Sequence, residues 1–418
     1  MTTPGGKGRK AVDLFDKCRR FRRVRELMRL GVYPYFRAIA EHDCTTATVN
    51  GRKVVMVGSN NYLGLTHDPR VVDAAQEATK RYGTSCTGSR FLNGTLELHE
   101  ELERRLAAFM KMESAAVFST GFMVNLGVLS SVVGKSDVLL CDRENHASII
   151  DGARLSFGQT RKFRHGDMED LERLLKECPD DAGKLIVVDG VFSMNGSITD
   201  LPSIVELARK YGARVMVDDA HGIGVLGKSG RGTLEHFGMT PDEGGGVDLV
   251  MGTFSKSLAS IGGFIAGSEE VVHYIKHHAR ALIFSASPTP ANTAAAMAAL
   301  DIIEKEPWRI EKLHKIVSRV RGAFGEMGYD TMGSETPIVP ILVGSDEDTF
   351  EFWKLLDERG IFANPVVAPG TPPGKGLIRT SYMATHQDSE IDRVLEAFGE
   401  IAELRQAQTA GDLARGGQ

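Results

Sequence analysis

The segment Leu201–Gly222, LPSIVELARKYGARVMVDDAHG, decides the fold class. Its first half, LPSIVELARKY, reads as an amphipathic helix. Its second half, ARVMVDD, is a continuous apolar run of strand length that ends on two carboxylates. A strand that is apolar on both faces is buried on both faces, as in a parallel sheet covered by helices.

The same alternation runs in both directions from this segment. Helical patterns (PRVVDAAQEATKRY, LELHEELERRLAAFMK, DMEDLERLLKE) separate short apolar strands (SAAVF, DVLLC, KLIVVDG, VDLVMG) from about residue 69 to residue 252. The implied class is α/β, a mainly parallel sheet with helices on both faces. In such sheets ligands bind beyond the carboxyl ends of the strands, so the residues just after each strand are where chemistry is expected. Near residue 300 the pattern changes. A long helix over about 307–326, then TPIVPILVG, a helix at DTFEFWKLLDERG, IFANPVV, KGLIRTSYM and a last helix at SEIDRVLEAFGEIAELRQ read as a smaller α+β domain. Before the alternation, TATVNGRKVVMVG reads as a hairpin with a type I′ turn at Asn50-Gly51. A basic amphipathic helix is expected over residues 11–30, with Lys17, Arg19, Arg20, Arg22, Arg23 and Arg25 on its charged side. That side is either a solvated face or a weak contact with an anionic membrane surface.

Composition narrows the function classes. At 418 residues the chain exceeds one compact core. Its net charge of -5 gives no global signal for nucleic acid. No apolar run reaches membrane-spanning length, and the start MTTPGGKGRK carries no apolar secretory region. The five cysteines (Cys18, Cys44, Cys86, Cys141, Cys178) are scattered and form no C-x-x-C pair, which fits a reducing cytoplasm and no metal site.

Five strand ends carry candidate groups. Asp218 ends ARVMVDD and is followed by His221. His146 opens the helix after DVLLC. STGF, Ser119–Phe122, follows SAAVF and opens a helix, where Gly121 allows close approach and the helix N-terminus suits a phosphate. Ser193 lies in the turn after KLIVVDG, and Lys256 lies in GTFSKSLASIGGF after VDLVMG, flanked by Thr253 and Ser255. Each has a plain structural reading when taken alone. Together they suit an aldehyde-bearing pyridine with a phosphate: a lysine forms the Schiff base and an acid pairs with the ring nitrogen. GIGVLGKS, Gly222–Ser229, matches a nucleotide P-loop pattern, but Ala220 and His221 separate it from the strand, and Gly230 and Gly232 weaken any helix after it. A loop is the better reading, with a P-loop nucleotide-binding protein as the alternative outside the enzyme class above.

The ordered set GSNNYLGL, STGF, NHASIIDG, DGVFSMNG, VDDAHGIGVLGKSGRG, GTFSKSLASIGGF and LIRTSYMATH resembles the α-oxoamine synthases. These are pyridoxal-phosphate enzymes of the aspartate aminotransferase fold (fold type I), and the resemblance spans roughly residues 25–405. It implies an N-terminal helix and hairpin arm over 1–57, a large cofactor-binding domain over 58–300 and a small C-terminal domain over 301–418. It implies that Lys256 is the Schiff-base lysine, that Asp218 pairs with the pyridine nitrogen, that His221 and Ser193 contact the ring hydroxyl and that His146 stacks on the ring. Ser119, Thr120, Gly121, Phe122, Thr253 and Ser255 would line the phosphate. Arg379 would hold the amino-acid carboxylate, with Asn61 and Tyr62 also at the substrate. FSASPTP resembles a segment that reaches the partner subunit's phosphate in a homodimer, with Ser285 as the contact. The family joins an amino acid to an acyl-CoA with release of CoA and carbon dioxide. GTSCTGSRFLNGTLELHEELE and PVVAPGTPPGKGLIRTSYMATH are similar to the members that use L-serine and palmitoyl-CoA. Members that acetylate glycine, or that make 8-amino-7-oxononanoate or 5-aminolevulinate, are the alternatives. Asn60 departs from the serine-using pattern, which has a tyrosine there, and so leaves the substrate pair open.

Overall fold

The computed structural model describes residues 13–243 and 245–416. Three antiparallel strands open it: β1 (Ile39–His42), β2 (Thr46–Val49) and β3 (Arg52–Met56). The β2–β3 turn is the expected one, with positive φ at both Asn50 (51°) and Gly51 (73°).

The central sheet has seven strands: β4 (Ser114–Phe118), β5 (Val138–Asp142), β6 (Gln159–Phe163), β7 (Lys184–Asp189), β8 (Arg214–Asp218), β9 (Leu249–Thr253) and β10 (Gly263–Gly267). Their order is β4-β10-β9-β8-β7-β5-β6. From β6 to β9 every pairing is parallel, whereas β10 runs antiparallel to both neighbours. Alternate residues of one strand feed separate cores. Val215 and Val217 of β8 pack with Ile186, Val188 and Val250 on one face. Met216 packs with Leu139, Cys141 and Val187 on the other. This two-sided burial produces the continuous apolar runs in the sequence. Helix caps follow local chemistry. Asp68 accepts from the amide of Arg70 ahead of Pro69–Tyr82, and Asp200 accepts from that of Ser203 ahead of Leu201–Tyr211.

A third sheet, ordered β11-β14-β13, joins β11 (Ile338–Gly344), β13 (Asn364–Val366) and β14 (Gly376–Ser381). IFANPVV, read as one strand, splits in two. Its first residues, β12 (Ile361–Phe362), pair parallel with β3 and tie the hairpin to the C-terminal part.

The basic N-terminal segment departs from the single helix expected over 11–30. Two short helices, Asp16–Arg19 and Arg23–Arg29, lie either side of Arg20–Arg22, and residues 11 and 12 fall outside the described residues. Neither helix buries a residue or has a side-chain N-cap. Without tertiary packing a long helix has little to hold it together. Among the described residues no helix is long and apolar enough to cross a membrane. Gly222–Ser229 forms turns, and the helix beyond it is only Thr233–His236. That is loop geometry, not a P-loop.

Strand β10 brings the chain back after Lys256, and it can do so only with glycines. A Cβ at Gly263 would lie 2.7 Å from the Gly121 Cα and 2.9 Å from the Gly121 nitrogen. Both are backbone atoms that cannot give way. Gly263→Ala should therefore cost about 1–3 kcal/mol through overpacking, seen as a lower thermal midpoint. An unchanged midpoint would contradict the close approach of β10 to the helix start.

Candidate active site

The carboxyl ends of β4, β5, β7, β8 and β9 open into one cavity of about 330 Å³. Thr120, Gly121, Phe122, His146, Asp218, His221, Thr253, Ser255 and Lys256 all line it. These residues span more than a hundred positions of sequence, and the sheet topology alone gathers them.

The floor is electrostatic. Asp189 and Asp218 end neighbouring parallel strands in register and are both buried. Burial, and next the charge of Asp218, push the Asp189 carboxyl well above its ordinary range. Asp189 accepts from the backbone amide of His146 at 3.1 Å, which anchors the start of helix Ala147–Leu155. Asp218 Oδ2 accepts from Asn125 Nδ2 at 2.6 Å, and its Oδ1 accepts from the Ala220 amide at 3.1 Å. The same Asn125 nitrogen donates to Ser148 Oγ at 2.8 Å, and Ser148 Oγ lies 2.7 Å from His146 Nδ1. His146 Nδ1 also accepts from the Ser148 amide at 3.2 Å, so the neutral ring carries its proton on Nε2. Desolvation lowers the His146 pKa and favours that neutral form.

Lys256 enters from the loop after β9. Burial outweighs the attraction of Asp218 and Asp189 and draws its amine down to about 8 from the ordinary 10.5. Thr253 Oγ1 donates to the Gly262 carbonyl at 3.1 Å and lies 3.0 Å from Ser255 Oγ. A Cβ at Gly121 would meet Thr253 Oγ1 at 2.6 Å, so only glycine lets the helix Gly121–Val132 begin against this hydroxyl. His221 Nδ1 lies 2.7 Å from Tyr62 Oη. Burial depresses the His221 pKa well below its ordinary value and raises Tyr62 to about 12, so both are neutral near pH 7.

Other expected residues sit around the cavity rather than in its wall. Arg379 is buried with three nitrogens engaged: Nε on the Ser193 carbonyl (2.6 Å), Nη1 on Ser381 Oγ (3.2 Å) and Nη2 on Asn60 Oδ1 (2.9 Å). Ser193 thus meets Arg379 through its backbone. The Ser119 hydroxyl donates to the Ala286 carbonyl, and Ser285 is half-buried between the exposed Phe284 and Ala286. Asn61 spends its amide within its own turn, on Thr66 Oγ1 (2.8 Å) and the Leu65 amide (3.1 Å).

Two polar residues, Asp189 and Asn125, were not anticipated, nor was the contact that Asn60 makes. Asp189 carries the signal that exposed Asp218, a carboxylate ending an apolar strand, but the serine beyond it drew the reading. Asn60 links Arg379 to Tyr62, whose hydroxyl lies 3.3 Å from Asn60 Oδ1. Asn125 lies inside an apolar helix and gives no local signal. Asp219, next to Asp218, faces the opposite way. It accepts from Thr233 N (2.7 Å) and Thr233 Oγ1 (2.6 Å) and pins the glycine-rich loop, with burial raising its carboxyl to about 7.

The residues fit a phosphorylated pyridine aldehyde. The buried Asp218 can face a ring cation, a glycine-started helix with flanking hydroxyls can take a phosphate, and an amine of lowered pKa can condense with an aldehyde. In the cofactor-free protein the Lys256 amine is charged below pH about 8 and neutral above it. Labelling with an amine-selective reagent, followed by peptide mapping, should show a midpoint near pH 8 for Lys256. A midpoint at the ordinary lysine value would contradict the burial argument.

Comparison with known proteins places this geometry in a family. A model of aminotransferase class I and II matches residues 52–398. A serine palmitoyltransferase of Bacteriovorax stolpii is 50% identical over 374 residues, 89% of this chain and 88% of that protein. The 8-amino-7-oxononanoate synthase 1 of Bacillus subtilis is 46% identical over 85% of this chain and 90% of its own. The solved structure of a serine palmitoyltransferase from S. paucimobilis with PLP–myriocin bound matches with a TM-score of 0.89 at 34% identity, covering 94% of this chain and 100% of that one. With similarity along most of its length and a closely superposing solved structure, the chain belongs to the aminotransferase class I and II family, in its α-oxoamine synthase branch.

Proposed function

We propose that the chain condenses L-serine with palmitoyl-CoA, releasing CoA and carbon dioxide and giving 3-ketodihydrosphingosine, with pyridoxal phosphate as its cofactor. The observation that carries this reading is a lowered-pKa Lys256 facing the buried Asp218 across one cavity, in a chain half identical to a serine palmitoyltransferase. When bound, pyridoxal phosphate supplies an electron sink for charge developing at the amino acid's Cα. Lys256 Nζ would hold it covalently, and Asp218 would meet its ring nitrogen. His146 and His221 would flank the ring, and Gly121 with Thr253 and Ser255 would take its phosphate.

The chain's own residues then divide the work. Arg379 binds the serine carboxylate with a guanidinium whose orientation is already fixed by Ser193, Ser381 and Asn60, so little freedom is lost on binding. Those contacts are with neutral acceptors, which leaves its positive charge for the substrate. Lys256 Nζ, which burial keeps readily deprotonated in the cofactor-free site, would take the Cα proton and return one after decarboxylation. The His221–Tyr62 hydrogen bond holds a neutral imidazole at the cavity wall.

The same proposal includes a homodimer in which the Ser285 segment of one copy completes the phosphate site of the other. It also includes a cytoplasmic setting, in keeping with the free cysteines. A weak membrane-surface contact through the basic segment 13–30 belongs to it too. There Leu14, Phe15, Phe21 and Leu30 are exposed beside the arginines. The similarity to an 8-amino-7-oxononanoate synthase supports a second reading within the same chemistry. A CoA-release assay over a grid of amino acids and acyl-CoAs separates the two. Serine with palmitoyl-CoA should give the highest kcat/KM; turnover only with glycine and acetyl-CoA, or only with alanine and pimeloyl-CoA, would overturn the proposed substrates.

A further inference from the structure

A second concavity, of about 470 Å³, meets the first at Lys256. Ser255, Lys256 and Ile261 line both, so the two concavities adjoin at the reactive amine. The groove runs between helices Pro69–Tyr82 and Pro290–Lys305, which pack against each other along their lengths. One part of its wall is small and apolar, made by Val71, Val72 and Ala75 from the first helix, Ala291 and Ala295 from the second, and Ala259 from the loop after Lys256; Gln76 and Asn292 add side-chain amides on the same two helices.

The polar groups along it are largely spent inside the protein. Asn61 uses both ends of its amide on Thr66 and Leu65, and the Ser260 hydroxyl donates to the Asn292 carbonyl at 2.7 Å. Among the described lining residues Lys256 alone is charged, and it stands at the shared end. Away from Lys256, a carboxylate or a phosphate would find no cation among the described lining residues. An alkyl chain would find apolar walls, and two aliphatic side chains that otherwise face water, Val72 (37% exposed) and Ile261 (57% exposed).

From this adjacency we propose that the groove between helices Pro69–Tyr82 and Pro290–Lys305 holds the hydrocarbon chain of the acyl-thioester substrate, with the thioester at Lys256 and the chain running along Val72 and Ala75. The assignment rests on the acyl-CoA reading above and adds where the chain lies and which side chains measure its length. Asn61, expected at the amino acid, becomes a residue that shapes the groove mouth instead.

The test is the acyl-chain profile of kcat/KM, from octanoyl- to stearoyl-CoA, for the cofactor-loaded enzyme and for Val72→Trp, Ala75→Phe and Val72→Ala. The two bulky replacements should lower kcat/KM for palmitoyl-CoA about ten-fold or more relative to octanoyl-CoA, and Val72→Ala should not. Calorimetric titration with a non-reactive thioether analogue of palmitoyl-CoA should show the same loss. Serine binding, read from the cofactor's absorbance, should persist in all three. A profile indifferent to Val72→Trp and Ala75→Phe, in an enzyme that does condense serine with palmitoyl-CoA, would sink the groove assignment and leave the proposed reaction standing. So would dissociation of a dimer by Val72→Trp with the profile unchanged, because the groove would then seat a second copy of the chain. An enzyme that releases no CoA with any acyl-CoA would sink the reaction itself.

Discussion

One buried amide nitrogen joins the two halves of the candidate site. Asn125 Nδ2 donates to Asp218 Oδ2 on one side and to Ser148 Oγ on the other, and through Ser148 it reaches the ring of His146. Asp218 is nearly inaccessible, and a buried carboxylate without donors would cost several kcal/mol. Because a carboxylate accepts and does not donate, the amide must present its nitrogen to Asp218, and this fixes the direction of every bond beyond it. Asn125 stands one turn after Gly121 in the same helix, so one helix both begins at the cavity and supplies the link at its floor. That placement in turn requires Gly121 and Gly263 to touch through their backbones.

Charge around this link is arranged so that attraction is incomplete. Two carboxylates end adjacent strands, and desolvation, with the charge of Asp218 next, raises that of Asp189 well above its ordinary range. For Lys256, burial wins over both neighbouring acids and leaves an amine near 8 rather than 10.5. A site with stronger pairing would hold the lysine charged and unreactive; a site without acids would not keep it at the cavity. Similar reasoning covers Arg379, held by a carbonyl, a hydroxyl and an amide oxygen and by no carboxylate.

Much of this was legible in the sequence because it depends on local pattern. Strands buried on both faces gave continuous apolar runs, as in ARVMVDD, and their carboxyl ends pointed to Asp218, His146 and Lys256. What escaped depends on tertiary partners. Edge strand β6 is mostly exposed and polar, and β10 is five residues between glycines, so neither has an apolar run to announce it. The basic N-terminal pattern promised one helix, but the two short helices found there bury no residue that would sustain one. Asn125 looks like an ordinary polar residue in an apolar helix until Asp218, ninety-three positions away, is set beside it. Asn61 gave no sign in its motif that its amide closes its own turn, on Thr66 Oγ1 and the Leu65 amide.

The central claim is that Lys256 is the amine on which the site's chemistry turns. The most direct measurement is to incubate the protein with pyridoxal phosphate, reduce with borohydride, digest it and map the retained pyridoxyl group by mass spectrometry. The account predicts one stoichiometric modification, on the peptide that contains Lys256, and its loss in Lys256→Ala. A retained group on another lysine, or none at all on correctly folded protein, would contradict it.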